Sequence, residues 1–149
     1  MAVVDITALE ARDFPLASCK GPNGTITTLS GVDTDHAIME GTITEPDVIE
    51  YCVRQKGPRE TLDHCVRETL ERNNPTRYRA AANCPQHLLE STIDKAIEQF
   101  KLVHEKDEKA WRSVRTGKTL GNSCGDGTPP LFEQFKILCP HEADLLDLQ

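Results

Sequence analysis

The chain has 149 residues, 38% hydrophobic and 28% charged, a balance that places it with folded globular proteins and suits a single domain. Twenty-four acids against 17 Lys and Arg leave a net charge of -7, which repels phosphate backbones and anionic lipid and so argues against nucleic acid as a partner. No stretch approaches the roughly 20 apolar residues of a membrane span, and with one Trp, two Tyr and four Phe the core must be built mainly from Leu, Ile, Val and half-cystines.

Residues 1 to 18 read as an irregular arm. They show no basic n-region followed by an apolar stretch, so this is not an export signal. Taken with the cysteines below, the expectation is a mature chain whose signal has been removed. Gly-Pro-Asn-Gly at 21–24 marks a turn. The short β-branched run Ile26-Thr27-Thr28-Leu29 then reads as a strand ended by Gly31, and Ala37 to Ile43 as a second strand.

Helix signals follow. Thr44 can cap a helix, Pro46 suits its first turn, and Asp47 stands three residues after the cap, where it faces the helix dipole. Val48, Ile49, Cys52 and Val53 recur at helical spacing. Lys56-Gly57-Pro58 stops this helix and starts a second, in which Leu62, Cys65, Val66, Thr69 and Leu70 share a face until Asn73-Asn74-Pro75 closes it. Two short helices with so brief a break form a hairpin. Cys52 and Cys65 lie on its two apolar faces, so a Cys52–Cys65 disulfide is expected.

From 88 onward two patterns compete. Leu89, Ile93, Ala96, Ile97, Phe100 and Val103 match an amphipathic helix over 88–103. Turn chemistry instead favours hairpins from 100 onward, with Lys106-Asp107-Glu108-Lys109 as one turn and Thr116-Gly117-Lys118 as another.

Six cysteines, Cys19, Cys52, Cys65, Cys84, Cys124 and Cys139, span the chain and are all disulfide candidates. None forms C-x-x-C and no two of the five histidines stand as H-x-x-x-H, which argues against zinc ribbons, thioredoxin-type centres and helical metal motifs. No cofactor and no metal are expected. The rival account is a cytosolic thiol or metal-binding protein.

Gly41-Thr42-Ile43-Thr44, Glu50-Tyr51-Cys52, Cys65-Val66-Arg67, Asn83-Cys84-Pro85, Trp111-Arg112, Thr116-Gly117, Gly121-Asn122-Ser123-Cys124, Gly127-Thr128-Pro129-Pro130 and Gln134 to Pro140 together carry a resemblance. Over about residues 30 to 140 the chain resembles small secreted cysteine-containing proteins of alphaproteobacteria. The resemblance implies a helical pair followed by a small twisted sheet, and an exported, periplasmic location. It transfers no catalytic residue, and Cys19 lies outside it.

Catalytic patterns are fragmentary. Gly121 to Gly125 matches G-x-S-x-G around Ser123, but Asp126-Gly127-Thr128-Pro129-Pro130 opposes a helix starting where a nucleophile elbow needs one. Arg115 to Thr119 ends like a P-loop yet has Arg112 where its first glycine belongs. The acids around Glu105 to Glu108 read as a solvated run, and Leu145, Leu146 and Leu148 as a tail that frays or covers the core, with a short docking segment as the alternative. Trp111 is either a sheet-core anchor or the centre of a binding patch.

These readings converge on an α+β protein, a helical hairpin (44–73) packed on a small antiparallel sheet with 84–140 mainly β, stapled by disulfides. The expected role is an exported, non-enzymatic binding protein acting on another protein as an inhibitor, immunity-like factor or envelope accessory. Its weak binding candidates are Trp111, Arg112, Asn122 and Asp126. The alternative is a small serine hydrolase using Ser123. A peptide map under non-reducing conditions is expected to yield linked peptides carrying Cys52 and Cys65; six titratable thiols in the denatured protein would end the disulfide account.

Overall fold

The structure, a computed structural model, describes residues 3–4, 13–16, 21–73, 77–93, 96–105, 107–121 and 128–148. Its strands are β1 (Val3–Val4), β2 (Asp13–Phe14), β3 (Gly24–Ser30), β4 (Ala37–Thr42), β5 (Arg77–Asn83), β6 (Leu88–Ile93), β7 (Ala96–Glu105) and β8 (Glu108–Ser113). The helices are α1 (Glu45–Gln55), α2 (Leu62–Arg72), α3 (Thr128–Leu138) and α4 (Pro140–Leu145).

All strands join one antiparallel sheet in the order β1-β3-β4-β5-β6-β7-β8, with β2 also paired to β3. Chain neighbours are sheet neighbours from β3 to β8, so the sheet is a meander. Its one long excursion is the α1–α2 hairpin, which leaves β4 and returns into β5, its antiparallel neighbour. The architecture is thus α+β and disulfide-stapled, but the sheet dominates it. The expected small sheet beneath a helical hairpin is corrected on that point: the arm and the 88–105 region both contribute strands.

Period-2 alternation sends Ala37, Met39, Ala80, Ala82, Leu89, Phe100, Leu102 and Trp111 to one buried face, while Glu40, Gln99 and Lys101 stand exposed on the other. This parity also decides the 88–103 ambiguity against a helix. The apolar residues that fitted a helical stripe belong to two strands, and Ile97, a member of that stripe, is 57% exposed. Asp107, at positive φ, turns β7 into β8 as the polar tetrapeptide suggests.

Helix α3 covers the buried face. Leu131, Gln134, Phe135 and Leu138, at helical spacing i, i+3, i+4 and i+7, are all fully buried, and α3 meets β4, β5, β6 and β8. Trp111 packs between Phe132 and Phe135, with ring centroids 5.6 and 5.4 Å away. The stretch read as mainly β therefore ends in a helix that closes the core. In the tail, Ala143 is buried and Leu146 and Leu148 pack on the core, leaving Leu145 exposed.

Three turns gather where α3 ends. The Asp33 amide donates to the Leu138 carbonyl (2.9 Å) and the His141 amide to Asp33 Oδ1 (2.8 Å). A disulfide joins Cys84, in the β5–β6 turn, to Cys139. Nearby, His87 Nε2 pairs with Glu142 Oε2 at 2.9 Å, and its ring meets Phe135 edge-on.

The arm is more ordered than its composition suggests in the parts described. Val3–Val4 and Asp13–Phe14 pair with β3, and Phe14 is buried at 1% exposure. Its ring lies over Gly41, where an added Cβ would stand 2.6 Å from Phe14 Cδ2 and 2.7 Å from the Thr25 carbonyl oxygen. Glycine is thus required by close approach. Tyr78, partnered with Gly41 across the strands and 6.4 Å from Phe14, has its phenol pKa pushed up by burial.

Gly41→Ala is expected to lower stability by about 2 kcal/mol, because both the Phe14 ring and a backbone oxygen resist the methyl group. A urea midpoint shift at unchanged slope measures it. Among the described residues Ser91 Oγ is buried without a hydrogen-bond partner, so Ser91→Ala should leave stability within about 0.5 kcal/mol of the parent or raise it.

Candidate functional site

The α1–α2 hairpin is held from three sides. At its start, Thr44 Oγ1 accepts from the Asp47 amide (3.3 Å) while Asp47 Oδ2 accepts from the Thr44 amide (2.9 Å), a reciprocal capping box. Asp47 also accepts from Thr25 Oγ1 at 2.9 Å, which ties the helix start to β3. Thr61 caps α2 through the His64 amide, so the break between the helices spans residues 56–61 rather than the tripeptide the sequence suggested.

Inside the hairpin runs the Cys52–Cys65 disulfide, as the sequence led us to expect, with Cα atoms 5.9 Å apart. Val48 and Cys52 of α1 and Cys65 and Thr69 of α2 face the interior. Thr69 Oγ1 lies 3.7 Å from Cys52 Sγ and 3.9 Å from Cys65 Sγ, and the Asn73 side chain closes the end by donating to the Thr69 carbonyl (2.7 Å).

The apolar faces of both helices are wider than the interior covers. Ile49 and Val53 on α1 and Leu62 on α2 remain 37%, 62% and 37% exposed. Leu62, Val66 and Leu70 recur every fourth residue, and with Ile49 they floor a groove of ≈ 370 Å³ between the helices. Its charged rim consists of Glu45, Asp63, Glu71 and Arg67. The sequence placed Leu62, Cys65, Val66, Thr69 and Leu70 on one face; the fold grades that face, with Cys65 and Thr69 buried, Val66 and Leu70 partly buried against the core, and Leu62 exposed.

The binding residues proposed from sequence fare differently. Trp111 is fully buried and offers no surface, which leaves its role as a core anchor. Arg112 is partly exposed on β8, where its guanidinium donates to Glu105 Oε1 (2.7 Å) and to Thr119 Oγ1 (3.3 Å). Asn122 and Asp126 lie outside the described residues, as do Cys19, Cys124 and Ser123. The P-loop-like 115–119 stretch is a turn with Gly117 at φ 71°, after which Thr119 pairs back onto Arg112.

Glu60, His64 and Glu68 bring ligand atoms within 4.8 Å of one another on α2 and the residue before its cap. His64 Nε2 lies 3.0 Å from Glu68 and 3.8 Å from Glu60, with the imidazole 55% exposed. Solvated ion pairing of this kind contributes little and satisfies all three groups. Elsewhere, His36 beside Asp35 lowers that exposed carboxyl's pKa by hydrogen bonding and charge.

No family model, curated protein or solved structure matches the chain. No helix among the described residues is long and apolar enough to cross a membrane.

Removing the hairpin cross-link by Cys52→Ala/Cys65→Ala reopens a loop with a sequence separation of 13. The chain-entropy account expects a loss of about 3 kcal/mol, localised in the hairpin. Hydrogen exchange should show amides of 45–72 losing protection while β5 to β8 retain theirs.

Proposed function

We propose that this chain is an exported, non-enzymatic binding protein that acts on another protein through the outer face of its α1–α2 hairpin. The observation that carries the reading is the groove itself: a partly exposed apolar lining, led by Ile49 and Leu62, on two helices that a buried disulfide and a capping network hold in place. A contiguous apolar patch with a polar rim is what interaction surfaces present, and holding it rigid lowers the ordering cost of association.

Export is the companion reading. Disulfides persist in oxidising compartments, and of the two described cross-links one ties the hairpin and the other joins segments 55 residues apart. The resemblance to secreted alphaproteobacterial proteins points the same way. An inhibitor, immunity-like factor or envelope accessory would each use such a scaffold, with the disulfides substituting for the larger core that a small chain lacks.

Site-specific photo-crosslinking tests the surface. With the probe at Val53 or Val66, the oxidised protein in its host envelope fraction is expected to give a discrete protein adduct, and with the probe at Gln99, on the open sheet face, none. Adducts of equal yield from all three positions, or none from the hairpin, would contradict the reading.

A further inference from the structure

The groove's dimensions and charge narrow what fits it. Leu62 to Leu70 spans about 12 Å along α2 at 1.5 Å per residue, the length over which a partner helix presents apolar side chains at i, i+4 and i+7. The groove volume of ≈ 370 Å³ lies toward the lower end of what small-molecule sites enclose, but its lining follows α2 from Leu62 to Glu71, with Glu45 and Ile49 of α1 beside it, an extended shape that suits a rod laid along α2.

The rim supplies the sign. Three carboxylates, Glu45, Asp63 and Glu71, stand around the apolar floor against one guanidinium, Arg67. The chain as a whole carries -7. A second copy seated face to face would bring two net-acidic rims together, and like charges at close range oppose such pairing. An acidic or phosphate-bearing partner is disfavoured for the same reason. The complement is an apolar stripe flanked by Lys or Arg.

Resting on the reading of the hairpin as the binding surface, we infer that its partner presents a basic amphipathic helix, with apolar side chains entering between Ile49 and Val66 and cationic side chains meeting Glu45, Asp63 and Glu71. Association is steered by charge and held by apolar burial, so it weakens with added salt without vanishing.

The test uses the oxidised full chain and three labelled peptides of one apolar pattern: a Leu/Lys helix, a Leu/Gln helix and a Leu/Glu helix. The Leu/Lys helix is expected to bind best, with the Leu/Glu helix weaker by about tenfold or more. Val66→Glu should reduce Leu/Lys binding at least about tenfold, although it makes the protein more acidic; diffuse attraction to an acidic surface would instead increase. Glu71→Lys, at the exposed end of α2 where a cation suits the helix, should weaken the Leu/Lys peptide and strengthen the Leu/Glu one. Equal binding of all three peptides, abolished by Val66→Glu, would overturn the basic partner while leaving the groove as a binding surface. Failure of the Leu/Lys helix to bind, or binding unaffected by Val66→Glu, would overturn the inference whatever the crosslinking from Val53 and Val66 shows.

Discussion

The Cys52–Cys65 bond is the constraint on which the functional reading of this molecule depends. The hairpin is an excursion between two strands that already pair, β4 and β5, so strand pairing itself does not set its shape. Its fully buried residues are Val48, Thr69 and the two half-cystines, with Tyr51, Val66 and Leu70 partly buried against the core. Helices of 11 residues are marginal in water on their own. The covalent link adds a fixed separation to that packing, and Ile49, Val53 and Leu62 stay exposed on the outer side.

The rest of the core is built around the sheet and α3, and the hairpin's Val48, Cys52 and Cys65 join it. Leu131, Phe135 and Leu138 of α3 fill the buried side of the sheet against Phe100, Leu89 and Trp111, and the Cys84–Cys139 bond pins the end of that helix to the β5–β6 turn. At the other end of the chain, Gly41 makes room for Phe14, and Gln134 Nε2 donates to the Pro15 carbonyl at 2.6 Å, fastening the arm to α3. The hairpin contributes Val48, Cys52 and Cys65 to this core, while Ile49, Val53 and Leu62 on its outer side stay exposed.

What was legible in the sequence follows a physical line. The hairpin was readable because its signals are local: Thr44 and Asp47 cap α1, Asn73 ends α2, and apolar spacing aims both cysteines inward. Strands β3 and β4 were readable from their turns. Two features were not. Over 88–105 short strands happen to carry apolar residues at helical spacing, and only pairing partners distant in sequence decide the period. The i, i+3, i+4, i+7 set at Leu131, Gln134, Phe135 and Leu138 was present but masked by the Gly- and Pro-rich stretch before it and by the mid-pattern glutamine. The groove was half legible: the sequence displays an apolar face on α2, but how much of that face the core leaves uncovered depends on which residues the sheet side reaches.

The central claim is that the disulfide-held hairpin, and not the sheet, meets the partner. Its most direct measurement is hydrogen exchange on the oxidised protein with and without a saturating basic amphipathic helix. The account predicts added protection confined to residues 45–72. Protection on the open sheet face around β5 to β7, or none anywhere, would contradict it.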